Sequence, residues 1–209
     1  CYGQLQQYEK ALPYFKYALK IAPDNPSYHS NLANCYRHLN KNESALQHYQ
    51  AALVKQPHNP STHNNMGILY HQGKDYKKAI EHYQKAISLE KNFADAYYNL
   101  SLSQLKLSQH KVALASAKSA CQQESHVQAH LLYARLLMDH NKVQDAIQLL
   151  KMQLEKQAHL PELHLYLANA YLKSDDSDRP ARIRVIFLCF EAKKTCVEHG
   201  LGRYVYKKT

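Results

Sequence analysis

The sequence predicts an all-α protein built from repeated pairs of helices. Apolar residues recur every three or four positions, short turns separate these stretches, and the whole pattern returns after 34 residues. No stretch alternates apolar and polar residues over the length that a sheet would need. Because one helix pair cannot bury its apolar stripes alone, the pairs are expected to stack on each other in a row.

The segment 60–91 displays the repeat most clearly. Two apolar stripes, joined by a turn at residues 72–75, comprise His63, Met66, Gly67 and Tyr70 in the first helix and Ala79, Tyr83 and Ala86 in the second. Glycine inside a helix costs about 1 kcal/mol relative to alanine. We therefore expect a neighbouring backbone to approach Gly67 closely.

Equivalent residues recur one period earlier and later. A step back gives His29, Leu32, Ala33, Tyr36, Ala45, Tyr49 and Ala52, a step forward gives a weaker copy, and closing prolines stand at Pro23 and Pro57. In these residues the chain resembles the tetratricopeptide repeat (TPR) family, whose pattern has an aromatic residue, Leu-Gly, Tyr, Ala, an aromatic residue and Pro at this period. The resemblance implies a right-handed superhelical TPR solenoid.

On this basis, residues 1–209 are interpreted as a single TPR array. The partial repeat 1–25 is expected to contain the tail of one helix and a second helix from Tyr8 to Ile21, and Ser27 is expected to cap the next helix. The repeats that follow are 26–59, 60–93, 94–126, 127–160 with a one-residue deletion before it near residues 124–126, a divergent repeat with a long final helix at 161–199, and a basic tail at 200–209.

The charge and the cysteines restrict the class of protein. Of the net charge of +10, eight basic and two acidic residues contribute +6 within residues 179–209, so the basic character belongs to the C-terminal end. This distribution argues against nucleic acid as the partner of the repeats. No apolar run reaches the 18 residues that suggest a membrane span. The odd count of five cysteines favours a reducing, cytoplasmic compartment.

The final predicted helix is apolar on every side. Five of its residues, Val185, Ile186, Phe187, Leu188 and Phe190, cannot all face the preceding repeat, because consecutive helical residues point in different directions. We expect another surface to bury them: the segment Tyr204 to Tyr206, a second copy of the chain through self-association, or a further domain.

A column of asparagines on the first helices is the strongest candidate for a binding site. Asn31, Asn65 and Asn99 are one period apart and lie opposite the packing stripe. In the TPR family the first helices line the concave wall, so the resemblance implies an asparagine ladder facing a groove. Asparagine offers two donors and an acceptor, which suits binding to a peptide backbone. Neighbouring groove residues are Asn34, Arg37, Asn64, His71 and Tyr98. Alternatively, the asparagines solvate the helix or bond a neighbouring turn.

Motifs for catalysis are missing from the sequence. It has no glycine-rich phosphate loop, no nucleophile elbow and no acid pair with a plausible pocket, so neither an enzyme nor a cofactor is predicted. His126 and His130 are four residues apart, but no further ligand type accompanies them, so no metal site is predicted. His29, His63, His130 and His164 occupy the aromatic packing position and are interpreted as structural.

The function predicted is a non-catalytic protein–protein interaction module that binds an extended or helical peptide segment of a partner. A first alternative is the substrate-recruiting arm of a larger enzyme such as a glycosyltransferase. The best repeats resemble the asparagine-ladder arrays that precede O-linked N-acetylglucosamine transferase catalytic domains, and we expect the chain to be a piece of a longer protein. A second alternative is a bacterial secretion chaperone. Replacing Asn31, Asn65 and Asn99 by alanine is expected to weaken binding while leaving the fold nearly as stable.

Overall fold

The computed structural model describes residues 2–122 and 126–174, with side chains from residue 7 onward. These residues form ten α-helices and no strand, which confirms the predicted all-α class. The helices are α1 (Tyr2–Ile21), α2 (Pro26–His38), α3 (Asn42–Lys55), α4 (Pro60–Gln72), α5 (Tyr76–Leu89), α6 (Ala94–Lys106), α7 (His110–Ala120), α8 (Val127–Asp139), α9 (Val143–Lys156) and α10 (Pro161–Lys173). The predicted final helix and basic tail lie outside the described residues.

The chain divides into two compact units, Cys1–Gln122 and Gln123–Thr209. In unit 1, α2 packs on α3, α4 on α5 and α6 on α7, so each predicted repeat is a helix pair. In unit 2, α9 contacts both α8 and α10. No helix within the described part of either unit combines the length and the apolar character needed to cross a bilayer.

The turn inside each helix pair has the same backbone geometry. Its left-handed residue is Asn40, Lys74, Ser108 or Asn141, with φ between 56° and 64°. The residue after it donates its N–H to the carbonyl five positions earlier, as Asp75 does to Tyr70 at 2.9 Å. The first three turns are 34 residues apart and the fourth follows after 33. This spacing agrees with a one-residue deletion between the fourth and fifth repeats.

The expected break before Tyr8 is wrong, because α1 is one continuous helix from Tyr2 to Ile21. The position that is left-handed in later repeats is Gln6, which lies within this helix. Glutamine is a good helix former, whereas the asparagines at two of the later turns tolerate the left-handed conformation. The sequence at this position therefore favours continuing the helix over turning.

The predicted cap at Ser27 is also wrong. The side chain of Asn25 caps α2, because its Oδ1 accepts hydrogen bonds from the backbone N–H of Ser27 at 3.0 Å and of Tyr28 at 3.3 Å. Pro26 is the first helical residue, where its φ suits a helix and its missing N–H costs nothing. The cap must therefore precede the proline. Asn59 does the same for α4, accepting from the N–H of Thr62 at 2.9 Å.

Alanine and tyrosine form the core between the helices of the best repeats. Tyr49 and Tyr83 are fully buried on α3 and α5, as the predicted stripe requires. The tight neighbour of Gly67, however, is an aromatic ring and not a backbone. A Cβ added at Gly67 would lie 2.5 Å from Cε1 of Tyr83. A mid-helix glycine signals that space is scarce, but the sequence period does not say which atoms occupy that space.

Candidate functional site

The eight predicted binding residues lie on three first helices of unit 1. They are Asn31, Asn34 and Arg37 on α2, Asn64, Asn65 and His71 on α4, and Tyr98 and Asn99 on α6. We call this set the polar face. Helix α4 contacts both α2 and α6. Asn31, Asn65 and Asn99 hold the same position in their repeats, so the polar face runs across all three helices.

The three asparagines of the predicted ladder have different surroundings. Asn31 is exposed, while Asn65 and Asn99 are half-buried. The Nδ2 of Asn99 donates to Oδ1 of Asn64 at 3.2 Å, and Asn64 is only 6% exposed. Asn99 therefore bonds a side chain on the neighbouring helix α4. Within the described residues, the side-chain amides of Asn31 and Asn65 make no hydrogen bond.

Further hydrogen bonds connect the first helices to each other. Ser30 on α2 lies 3.0 Å from the hydroxyl of Thr62 on α4, and Nδ1 of His71 lies 2.7 Å from Oγ of Ser103 on α6. Burial lowers the pKa of His71, and the positive charge of Lys106 lowers it further. These contacts hold neighbouring helices in register, which fixes the position of the polar face.

Arg37 and Asn34 belong to a second polar group at the α2 end of the face. The hydroxyl of Tyr49 donates to Oδ1 of Asn34, and Nη2 of Arg37 donates to Nε2 of His38 at 3.1 Å. The ring of Tyr8 stacks on His38 with centroids 4.1 Å apart. Burial raises the pKa of Tyr49, and the charge and hydrogen bonding of Arg37 oppose this rise. The Nε of Arg37 is buried, and no acceptor lies within hydrogen-bonding distance of it among residues 7–122 and 126–174.

Several residues that support the polar face were not singled out from the sequence. Thr62 and Ser103 each contact a polar residue 32 positions earlier, and the buried Tyr83 is hydrogen-bonded to Ser103. Burial raises the pKa of Tyr83, and the bond to Ser103 opposes that effect. The sequence contains a signal for these contacts. Thr62 follows Ser30, and Ser103 follows His71, after 32 residues, which is two residues fewer than the repeat length. Tyr98 is half-buried on α6.

The recurrent histidines hold the repeats together internally. Nε2 lies within hydrogen-bonding distance of the carbonyl six residues earlier for His29 (Pro23), His63 (Pro57) and His164 (Ala158), at 2.8, 3.1 and 2.9 Å. Nδ1 of His29 lies 3.0 Å from Nδ1 of His48, and the pair His63 and His82 repeats this contact at 3.3 Å. Among residues 2–122 and 126–174, no group of three His, Cys, Asp or Glu side chains converges as metal ligands.

Stacked helix pairs with a polar face on the first helices define a helical-repeat protein, a class that commonly binds other proteins. Three family models, each described as tetratricopeptide repeat, match residues 4–64, 60–93 and 98–161. The chain therefore belongs to the TPR family. A search of curated protein sequences finds no match.

Solved structures similar to this chain are TPR-like proteins of low sequence identity. PilF of Pseudomonas aeruginosa is 18% identical, with a TM-score of 0.75 over 97% of this chain and 88% of that protein. PilW, a type IV pilus biogenesis factor, is 19% identical, with a TM-score of 0.71 over 97% and 90%. YrrB, a TPR protein with an unusual peptide-binding site, is 19% identical, with a TM-score of 0.68 over 86% and 92%. At these identities the likeness concerns the fold alone.

Proposed function

We propose that the chain is a non-catalytic protein–protein interaction module whose polar face binds an extended or helical segment of a partner protein. One observation carries this proposal. Asn31 and Asn65 lie on neighbouring first helices, one repeat apart, and their side-chain amides are not used within the described fold. Each amide can donate to a carbonyl and accept from an N–H of a peptide backbone.

The rest of the polar face would form a surface that is already ordered before the segment binds. The contacts Ser30–Thr62, Asn64–Asn99 and His71–Ser103 already join the three helices. A surface that is ordered before binding loses less conformational entropy on association. Each hydrogen bond to the segment would contribute about 1 kcal/mol net, so the expected affinity is moderate and tolerant of peptide sequence.

The alternative functions would use the same face. A substrate-recruiting arm of a glycosyltransferase would hold its substrates on the asparagine column, and a secretion chaperone would hold its client there. YrrB is a precedent for a TPR protein with a peptide-binding site. We favour the general interaction module because it needs no part beyond the polar face.

The test replaces Asn31 and Asn65 together and leaves Asn99 unchanged. The 209-residue chain is used to select 16-residue peptides from a display library, and their dissociation constants are measured by fluorescence anisotropy. In the Asn31→Ala/Asn65→Ala variant, loss of two backbone contacts should weaken binding about tenfold or more. Asn99 is left in place, because its removal would deprive the buried Asn64 of a donor.

The matched control is Gln50→Ala/Gln84→Ala. These two exposed amides lie on α3 and α5 and are also one repeat apart, but they are on second helices. The control should bind the selected peptides as the wild type does. Equal affinities for all three proteins, or failure of the wild type to select any peptide, would refute the proposed function.

A further inference from the structure

Two pairs of histidines join the helices of the two best repeats. In the first pair, His29 on α2 and His48 on α3 place their Nδ1 atoms 3.0 Å apart. In the second pair, His63 on α4 and His82 on α5 place theirs 3.3 Å apart. The partners of each pair are 19 residues apart in the sequence. A pair divided between two helices gives no signal in the spacing along either helix, so the sequence alone does not predict it.

One histidine of each pair has its other ring nitrogen bound to a backbone carbonyl. Nε2 of His29 lies 2.8 Å from the oxygen of Pro23, and Nε2 of His63 lies 3.1 Å from that of Pro57. A carbonyl can only accept a hydrogen bond, so Nε2 carries the hydrogen and Nδ1 keeps its lone pair in the neutral ring. Histidines that ligate metals commonly have this arrangement, in which a carbonyl fixes the tautomer and the orientation of the ring.

The distance between the paired nitrogens suits a single metal ion. Zinc binds imidazole nitrogen at about 2.0–2.1 Å with tetrahedral geometry, which places two ligand nitrogens about 3.3 Å apart. The observed 3.0 and 3.3 Å are close to this value, and a rotation of the rings about their side-chain bonds would direct both lone pairs to the ion. The hydrogen on Nδ1 of His48 or His82 would move to Nε2 of the same ring, so that the ring stays neutral.

The surroundings keep the rings neutral near pH 7.5. Burial lowers the pKa of His48, His63 and His82 from the ordinary value of 6.5. A metal has to displace a proton from a charged imidazole, so a neutral ring binds it more readily. The positive charges of Lys16 near His48 and Lys85 near His63 act against a second cation. We therefore expect a moderate affinity.

The fold does not require a histidine pair at these positions. In the next repeat the same two places hold Tyr97 and the buried Ser116, and α6 still packs on α7. In unit 2 the corresponding place on α9 holds Leu149. The pair is thus a property of two adjacent repeats, and helix packing by itself does not explain it.

We propose that each histidine pair binds one divalent late transition-metal ion, such as Zn²⁺, through its two Nδ1 atoms. Among the described residues no third His, Cys, Asp or Glu joins either pair, so water would complete the coordination shell. Imidazole suits zinc, copper and nickel, whereas magnesium prefers oxygen ligands. The ion would connect the two helices of one repeat. This inference does not depend on the proposed function, because the polar face lies on the first helices alone.

The test is a titration of the 209-residue chain with Zn²⁺ at about pH 7.5, followed by isothermal titration calorimetry, with Mg²⁺ as the negative probe. The variant His48→Gln/His82→Gln should bind two Zn²⁺ ions fewer than the wild type, and each single variant should bind one fewer. Mg²⁺ should not bind at either pair. Glutamine at these positions can still donate to Nδ1 of the partner histidine, so the exchange removes a metal ligand and retains a hydrogen bond.

The matched control is His110→Gln/His159→Gln, which replaces two exposed histidines outside the pairs. It should bind as many Zn²⁺ ions as the wild type. Other histidines and cysteines of the chain can bind Zn²⁺ in every variant, so the difference between the variants is the quantity compared, and not the total.

Three calorimetric results would overturn the proposal. They are absence of Zn²⁺ binding by the wild type, equal numbers of bound Zn²⁺ in the wild type and in His48→Gln/His82→Gln, and an equal loss in the control. If circular dichroism shows that the double variant does not fold, the ¹⁵N resonances of the wild-type imidazoles decide the question. Zn²⁺ should shift the Nδ1 resonances of the four paired histidines, and unchanged Nδ1 resonances would refute the sites.

Discussion

The two compact units use the same repeat with different side chains at equivalent positions. In unit 1 the second helices α3 and α5 bury Tyr49 and Tyr83, and α7 buries Ala117 at the same position, whereas in unit 2 the equivalent residue on α9 is Leu150. The first helices of unit 1 carry Asn31, Asn65 and Asn99 at one position of the repeat, which we call the outer position. In unit 2, α8 carries Leu132 there, and this residue is only 5% exposed. The fold therefore requires the apolar stripe but not the polar face. The residue at this position differs between units that share one fold, which makes the asparagines of unit 1 candidates for a function.

The largest expected effect comes from the tyrosine core of unit 1. Tyr83→Ala removes a ring that is 1% exposed and leaves Ser103 without one of its partners. Large-to-small changes of a buried aromatic residue cost about 3–5 kcal/mol. Urea unfolding of the full chain measures the loss. Tyr17→Ala is the control, because that tyrosine on α1 is 65% exposed and should have little effect. Equal losses in the two variants would contradict the assignment of the core.

Exchanging the residue at the outer position should harm unit 2. Leu132→Asn places an amide at a buried site, where an unsatisfied polar group and a lost apolar side chain together cost about 2–4 kcal/mol. Asn65→Leu, the reverse exchange at a half-buried site of unit 1, should change the free energy of unfolding by less than about 1 kcal/mol. Thermal and urea unfolding of both variants check this asymmetry. If Leu132→Asn were as mild as Asn65→Leu, the two units would not differ at this position.

Gly67 tests how tightly the tyrosine ring packs on α4. Gly67→Ala should cost about 1–3 kcal/mol, because the new Cβ would force the ring of Tyr83 to move. In a Tyr83→Leu background the same change should be neutral or stabilise by up to about 1 kcal/mol through helix propensity. Gly73→Ala is the control, since its Cβ would meet its nearest neighbour at an ordinary 3.5 Å. A Gly67→Ala variant as stable as Gly73→Ala would disprove the close contact.

Acid should weaken unit 1 through its partly buried histidines, with a small contribution from each one. Burial lowers the pKa of His38, His48, His63, His71 and His82. Their unfolded pKa is about 6.5, so below this pH the unfolded chain binds protons more readily than the fold does. Stability is therefore complete above about pH 6.5 and declines as pH falls through the lowered values.

The measurement is the free energy of unfolding at pH 7.5, 6.0 and 5.0. This range lies above the titration of ordinary carboxyl groups, whose pKa is about 4. The variant His48→Gln/His82→Gln should show a flatter pH dependence than the wild type. Stability that is constant or rises towards pH 5.0 would contradict the histidine explanation.

The sequence alone determined the repeat length, the helix pairs, the apolar stripe and the column of outer asparagines. These follow from periodicity, because residues three or four apart share a helical face and residues 34 apart share a position in the repeat. Tertiary structure decided which polar groups are already used. Asn99 donates to Asn64, and the close neighbour of Gly67 is a ring. Asn31 and Asn65 make no side-chain hydrogen bond to any of the residues that the structure describes. Such contacts depend on rotamers and on distances between helices, and neither is encoded in the period of the pattern.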